Sequence, residues 1–158
     1  MPRQKHNPLH AYLTLEAIAI EEELKEITLS GSLTSGDLYE GTICLPSPYG
    51  LYLMKLFAFR DEEKGRQRRP PRVERARKHA IDLYTLSALL TAEEYDGLPA
   101  FRDRYGSHVV AQEASTIVKE FFGTRAAMGA IRLQEHGDFP EANRLNDILL
   151  LLAEIFPS

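Results

Sequence analysis

The spacing of apolar residues along the chain changes once, from a two-residue period to a helical one. From Ala11 to Ile20, AYLTLEAIAI alternates: Leu13, Leu15, Ala17 and Ala19 share one face, and Thr14, Glu16, Ile18 and Ile20 the other. That period predicts a strand largely apolar on both faces, with Glu16 intruding on one of them. EITLSGSL and YEGTICL read as two further short strands, with Ser35-Gly36-Asp37 as the turn between them. From Pro48 to Phe59 the chain is apolar around most of a helical circumference, the mark of a buried helix. Pro70-Pro71 limits where a second helix can begin, and its pattern runs from about Val73 to Leu90.

The remainder also reads as helices. Thr91, with Glu93 and Glu94 behind it, caps a short helix that Gly97 and Pro99 break, leaving AFRDRYG as a turn. Ser107 opens the next, whose Val110, Ala114, Ile117, Val118, Phe121 and Phe122 form an apolar stripe, closed by Gly123 as a C′ glycine. TRAAMGAIRLQEHG reads as helical up to Gly137, and EANRLNDILLLLAEIF as a last helix between Pro140 and Pro157. Within it Leu149 to Leu152 are either central to the core or part of an interface. His108 and His136 fall at helix ends, where they read as caps or dipole partners. The fold class is therefore α+β. A small N-terminal antiparallel sheet of about three strands (residues 1–46) precedes a predominantly helical region (residues 47–158), in one compact domain.

Two ions stand out. Lys55 is the one charge between Pro48 and Phe59, and Asp82 sits between Ile81 and Leu83-Tyr84 on the second helix. A buried ammonium needs an anionic partner or loses its proton, whereas one near the surface can simply extend its amine to water. Lys78, Asp82, Thr85 and Leu89 share a helical stripe, so Lys78 and Asp82 also form a possible ordinary i, i+4 pair. His79, in line with Leu83, Leu86 and Leu90, is either a satisfied core histidine or a group that touches substrate.

Charge sharpens the picture. The 158 residues carry a net −4, yet residues 64 to 78 hold eight cations against Glu74 alone, so this stretch is +7 and the rest −11. Such a block reads as a solvated surface loop or as a phosphate or RNA contact, and the absence of interleaved aromatics argues against base stacking. Hydrophobic content of 44% and charged content of 27% are those of an ordinary globular protein. The longest aliphatic run, Ile148 to Ala153, is far short of the ~18 apolar residues of a membrane span. No secretory h-region follows Met1, and the single Cys44 fits a reducing cytoplasm, most simply as a small core residue of its strand.

The run ICLPSPYGLYLMKLFAFRD, followed by KHAIDLYTL, resembles the last two motifs of the AbiEii-type nucleotidyltransferases, the abortive-infection toxins of bacterial two-gene toxin–antitoxin systems. The matching positions are Lys55-Leu56 and Ala58, then Lys78, His79, Asp82 and Leu83; Glu62 stands where the family tends to have an arginine. The resemblance implies transfer of a nucleotide from a nucleoside triphosphate to an RNA acceptor, such as tRNA, or to a protein side chain. Lys55 would neutralise the triphosphate, and Asp82 would orient Lys55 or help activate the acceptor. Lys78, Arg75, Arg77 and His79 would hold phosphates. Mg²⁺ would be required, with Glu16 as one of its carboxylate ligands. A cognate antitoxin is implied as a partner.

The superfamily's first motif, a Gly-Ser turn followed by Asp-x-Asp on a strand, has no counterpart. Gly31-Ser32 and Asp37-x-x-Glu40 are too closely spaced and read as a hairpin. The chain therefore reads as the C-terminal half or two-thirds of such an enzyme, truncated or inactive alone. The other reading is a non-catalytic module that contacts RNA or a protein through the basic loop.

Overall fold

Residues 24–65, 70–140 and 144–157 are described by the structure, a computed structural model. Among them the architecture is α+β and mostly helical: a two-stranded antiparallel sheet followed by six helices. The strand expected over Ala11–Ile20, and Glu16 with it, lies outside the described residues.

β1 (Lys25–Ser32) and β2 (Leu38–Leu45) pair from Lys25↔Leu45 to Ser32↔Leu38. Their connection holds Gly36 at φ +90°, where a side chain would be strained, and Ser35 donates to Asp37 at 2.8 Å. Cross-strand partners share a face, so Ile27, Leu29, Tyr39, Ile43 and Leu45 form an apolar side opposite Thr28, Ser30, Glu40 and Thr42. No described element covers that apolar side: Leu29 and Tyr39 remain almost half exposed. Cys44 is exposed as well, which corrects its expected place in the core; it lies on the polar face of an uncovered sheet.

The core is built on α1 (Pro48–Lys64). Ser47 caps it by accepting from the Gly50 amide at 3.3 Å, and Pro48 pre-sets the first turn. Tyr49, Tyr52, Leu53, Leu56, Phe57 and Phe59 are all buried, as the nearly continuous apolar sequence requires. α2 (Val73–Leu89) runs back along α1, burying Ala76, Ala80, Ile81 and Leu83. Around this pair pack α3 (Ala92–Tyr105), α4 (Val109–Phe122), α5 (Met128–Gln134) and α6 (Arg144–Ile155). Tyr49 stacks with Phe101 and Tyr105 at centroid distances of 5.7 and 6.0 Å, and Phe59 meets Phe121 and Phe122 at 5.4 and 5.0 Å. Burial, with Tyr105 second, pushes the Tyr49 phenol up to about 12.

Four expectations change here. Gly97 and Pro99 do not break α3, which runs through both to Tyr105. Pro99 forfeits one backbone bond, but buried Leu98 and the Phe101 and Tyr105 rings against Tyr49 hold the turn. The Thr91 cap expected at its start is present and proves to be a capping box, with Thr91 Oγ1 accepting from the Glu94 amide and the Glu94 carboxylate accepting from the Thr91 amide. His108, not Ser107, caps α4, its Nδ1 accepting from the Val110 amide at 3.2 Å. Gly123 is right-handed at φ −68°, so it is not a left-handed C′ residue; a Cβ there would meet the Lys119 carbonyl oxygen at 2.5 Å. The helix expected over TRAAMGAIRLQEHG shrinks to α5, with the His136 Nδ1 accepting from the Asp138 amide beyond it. Among the described residues no helix is long and apolar enough to cross a membrane.

Candidate functional site

The site lies along the seam between α1 and α2. The two helices are antiparallel, so residues late in α1 meet residues early in α2. Three cross-links mark the register. Tyr52 Oη and Ser87 Oγ share a hydrogen bond of 2.8 Å, Lys55 Nζ donates to Asp82 Oδ2 at 2.6 Å, and the Arg72 amide donates to the Glu62 carbonyl at 2.7 Å. Lys55 and Glu62 are two helical turns apart on α1; Arg75, His79 and Asp82 occupy the facing stripe of α2.

Lys55 and Asp82 are thus brought together as the sequence suggested, and the ordinary Lys78–Asp82 pair is not formed. Their side chains are 32% and 27% exposed, so the pair is open to solvent on one side rather than sealed in the core. His79 approaches the same carboxylate oxygen, Nδ1 to Oδ2 3.8 Å, too far for a hydrogen bond. Its buried Nδ1 has no hydrogen-bond partner, so it is not the satisfied core histidine that was one reading of the sequence. Burial first, and the Lys55 ammonium second, hold the His79 imidazole below its ordinary value.

The basic stretch behaves differently from its expected free, solvated state. Lys64 pairs with Glu120 at 2.8 Å, Arg72 and Arg75 approach Glu62 at 3.9 and 3.8 Å, and Arg77 pairs with Glu74 at 2.7 Å and Glu135 at 3.0 Å. Arg77 stands about 140° around α2 from Asp82 and faces α5, which takes it out of the Lys55–Asp82 seam. Lys78 and Arg75 stay exposed at the seam's mouth. Arg66, Arg68 and Arg69 lie outside the described residues.

One functional support escaped the sequence. Arg132 on α5 grips Glu63 through two hydrogen bonds of 2.9 and 2.8 Å and reaches Glu135 at 3.1 Å, and Glu135 in turn receives Arg77. Hydrogen bonds from Arg132 and Arg77 hold Glu135 below the usual carboxylate range. This chain of charges fixes the C-terminal turn of α1 against the first turns of α2. Its two links between elements span 58 and 69 residues of sequence, and no periodicity signals such pairings.

One helical turn from Lys55 and Asp82, at Leu51 and Leu86, the seam opens into a cleft of about 720 Å³ between the hairpin root and α1, α2 and α3. Its lining is mainly apolar, including Leu45, Pro48, Leu98 and Phe101, with Lys25 and Glu94 4.0 Å apart at its edge. The size falls within the range of small-molecule sites. Mg²⁺ fits the described residues poorly. No group of three or more His, Cys, Asp or Glu among them is arranged to hold a metal, and of the seam's carboxylates Asp82 already takes Lys55 while Glu62 faces Arg72 and Arg75. Comparison with protein-family models, with curated proteins and with solved structures finds no match to this chain.

Proposed function

We propose that this chain is a nucleotidyltransferase-like protein of the AbiEii toxin type, with its nucleotide site along the seam of α1 and α2. The observation that carries the reading is the 2.6 Å contact between Lys55 and Asp82, two motif residues separated by 27 positions, one turn from a cleft of nucleotide-compatible size. In the reaction proposed, an acceptor hydroxyl attacks the α-phosphate of a nucleoside triphosphate and pyrophosphate leaves. Lys55 places positive charge against the triphosphate, and Asp82 holds that amine in position when substrate is absent. His79 lines the same seam, its imidazole held below its ordinary value by burial and Lys55, with its Nδ1 buried near Asp82 rather than open to substrate. Arg75 and Lys78, at the open end, meet phosphates of an RNA acceptor such as tRNA. Residues 11–20 supply a third strand to the hairpin, and Glu16 a carboxylate, in this reading; a cognate antitoxin is its implied partner and the bacterial cytoplasm its place of action.

A second reading is a non-catalytic module that binds RNA or a protein through the basic stretch, favoured by the exposed Arg75 and Lys78 at the open end of the seam. Incubation of the chain with labelled nucleoside triphosphates, Mg²⁺ and total tRNA separates the two. Incorporation that disappears in Lys55→Ala and Asp82→Asn supports the enzyme. Absence of incorporation, with RNA binding that weakens steeply with salt, supports the module. Neither incorporation nor RNA binding defeats both.

A further inference from the structure

We infer that the groove between α6, the start of α3 and the end of α2 is a docking site for a cationic amphipathic helix of a partner protein. α6 buries Leu145, Ile148, Leu152 and Ile155 in the core, yet Leu150 points the other way and is 70% exposed. Asp147, Leu150, Leu151 and Glu154 fall at i, i+3, i+4 and i+7, a second helical stripe with leucines at its centre and a carboxylate at each end. Across from it α3 presents Tyr95, 44% exposed, and Asp96, and Leu90 closes the floor. The groove measures about 490 Å³, and among the described residues no cation lines it, although Arg102 lies in the adjoining pocket with Tyr95, Leu151 and Glu154. Among the described residues, Asp147 has Arg144 3.9 Å away, itself largely exposed, and Glu154 accepts the Tyr95 hydroxyl at 3.2 Å.

This is half of a helix–helix interface. Leucines of an incoming helix would cover Leu150 and Leu151, and flanking lysines or arginines would meet Asp96, Asp147 and Glu154, as charged flanks do beside an apolar seam. The geometry disfavours a second copy of this chain as the occupant. Its own described cations in residues 64 to 78, apart from Lys78, lie against its own carboxylates, and that segment has no leucine.

The test is fluorescence anisotropy on the full chain with a labelled peptide of about 18 residues, long enough to hold a helix. The probe has leucine at i, i+3, i+4, i+7 spacing flanked by lysine. One control has the same composition with the period broken, and another carries glutamate in place of lysine. The patterned lysine peptide binds, and both controls bind at least about tenfold more weakly, the loss of one good anchor. Leu150→Ala weakens binding by a similar factor, and Asp147→Asn with Glu154→Gln flattens its salt dependence, while thermal melts show both variants folded. Equal binding of the period-broken peptide, or undiminished binding by folded Leu150→Ala or Leu150→Lys, overturns the proposal. So does sedimentation that shows the chain self-associating through Leu150.

Discussion

Asp82 pairs with Lys55, 27 residues earlier, and not with Lys78, one turn away on its own helix. A pair so chosen crosses two helices, and its worth can be measured by a double-mutant cycle on Lys55→Met and Asp82→Asn. Both side chains are about a third exposed, so solvent screens them, and the coupling should be only about 0.2–1 kcal/mol, shrinking further in high salt. On the function proposed above, the same substitutions should remove nucleotide binding. Urea titrations of the four proteins give the coupling. A value of several kcal/mol, together with unchanged nucleotide binding, would mark the pair as a structural tie and nothing more.

His79 gives the seam a pH dependence of definite sign. Burial and Lys55 lower its proton affinity in the folded chain, against the opposing pull of Asp82 and Glu62; Lys78 adds to the lowering. The unfolded chain therefore binds the proton more readily from near the ordinary value of 6.5 down to the lower native value. Through that window stability falls as the pH falls, and above it the contribution is constant. In His79→Gln this component is absent. Urea midpoints of the two proteins should therefore diverge as the pH drops from about 7.5 to about 5. Parallel profiles would show that His79 titrates alike in the folded and unfolded chains.

Much of this arrangement was legible in the sequence, for reasons that differ by element. The hairpin announced itself by alternation and Gly36, α4 by its apolar stripe, and α1 by being apolar nearly all round. The contact of Lys55 with Asp82 was expected from two charges in apolar surroundings taken together with the motif resemblance. What misled was local chemistry overridden by packing. Pro99 signals a stop, but the aromatic stack on Tyr49 holds the helix through it, and Gly123 signals a left-handed cap, but serves to clear the Lys119 carbonyl. The basic stretch looked free because its partners Glu62, Glu120 and Glu135 lie on neighbouring elements, and pairing between elements leaves no trace in composition.

Gly129 is a second glycine kept for room. A Cβ there would come within 2.5 Å of two atoms of the Phe122 ring and 2.6 Å of the Phe121 carbonyl oxygen. The ring can turn only by disturbing Phe59, and the carbonyl is backbone of α4. Gly129→Ala should therefore destabilise by about 1–3 kcal/mol, although alanine is the better helix former. A melting temperature equal to or above that of the parent would show that α5 can slide away from α4 at no cost.

Arg132 tests whether the site depends on its supports. It is the residue through which α5 fastens Glu63 at the end of α1, and the two side chains are only 15% and 11% exposed. Losing a two-pronged, charge-assisted contact leaves Glu63 poorly solvated, so Arg132→Ala should cost about 2–3 kcal/mol. Arg132→Lys keeps the charge but not the fork, and should recover only part of that loss. The seam should respond too. With the end of α1 released, Glu62 no longer holds Arg72 and Arg75 in place, and any ligand affinity measured at the Lys55–Asp82 seam should fall more than in a variant of equal stability elsewhere, such as Gly129→Ala. If the two variants lose affinity equally, the charge chain supports the fold and leaves the seam's geometry to the core.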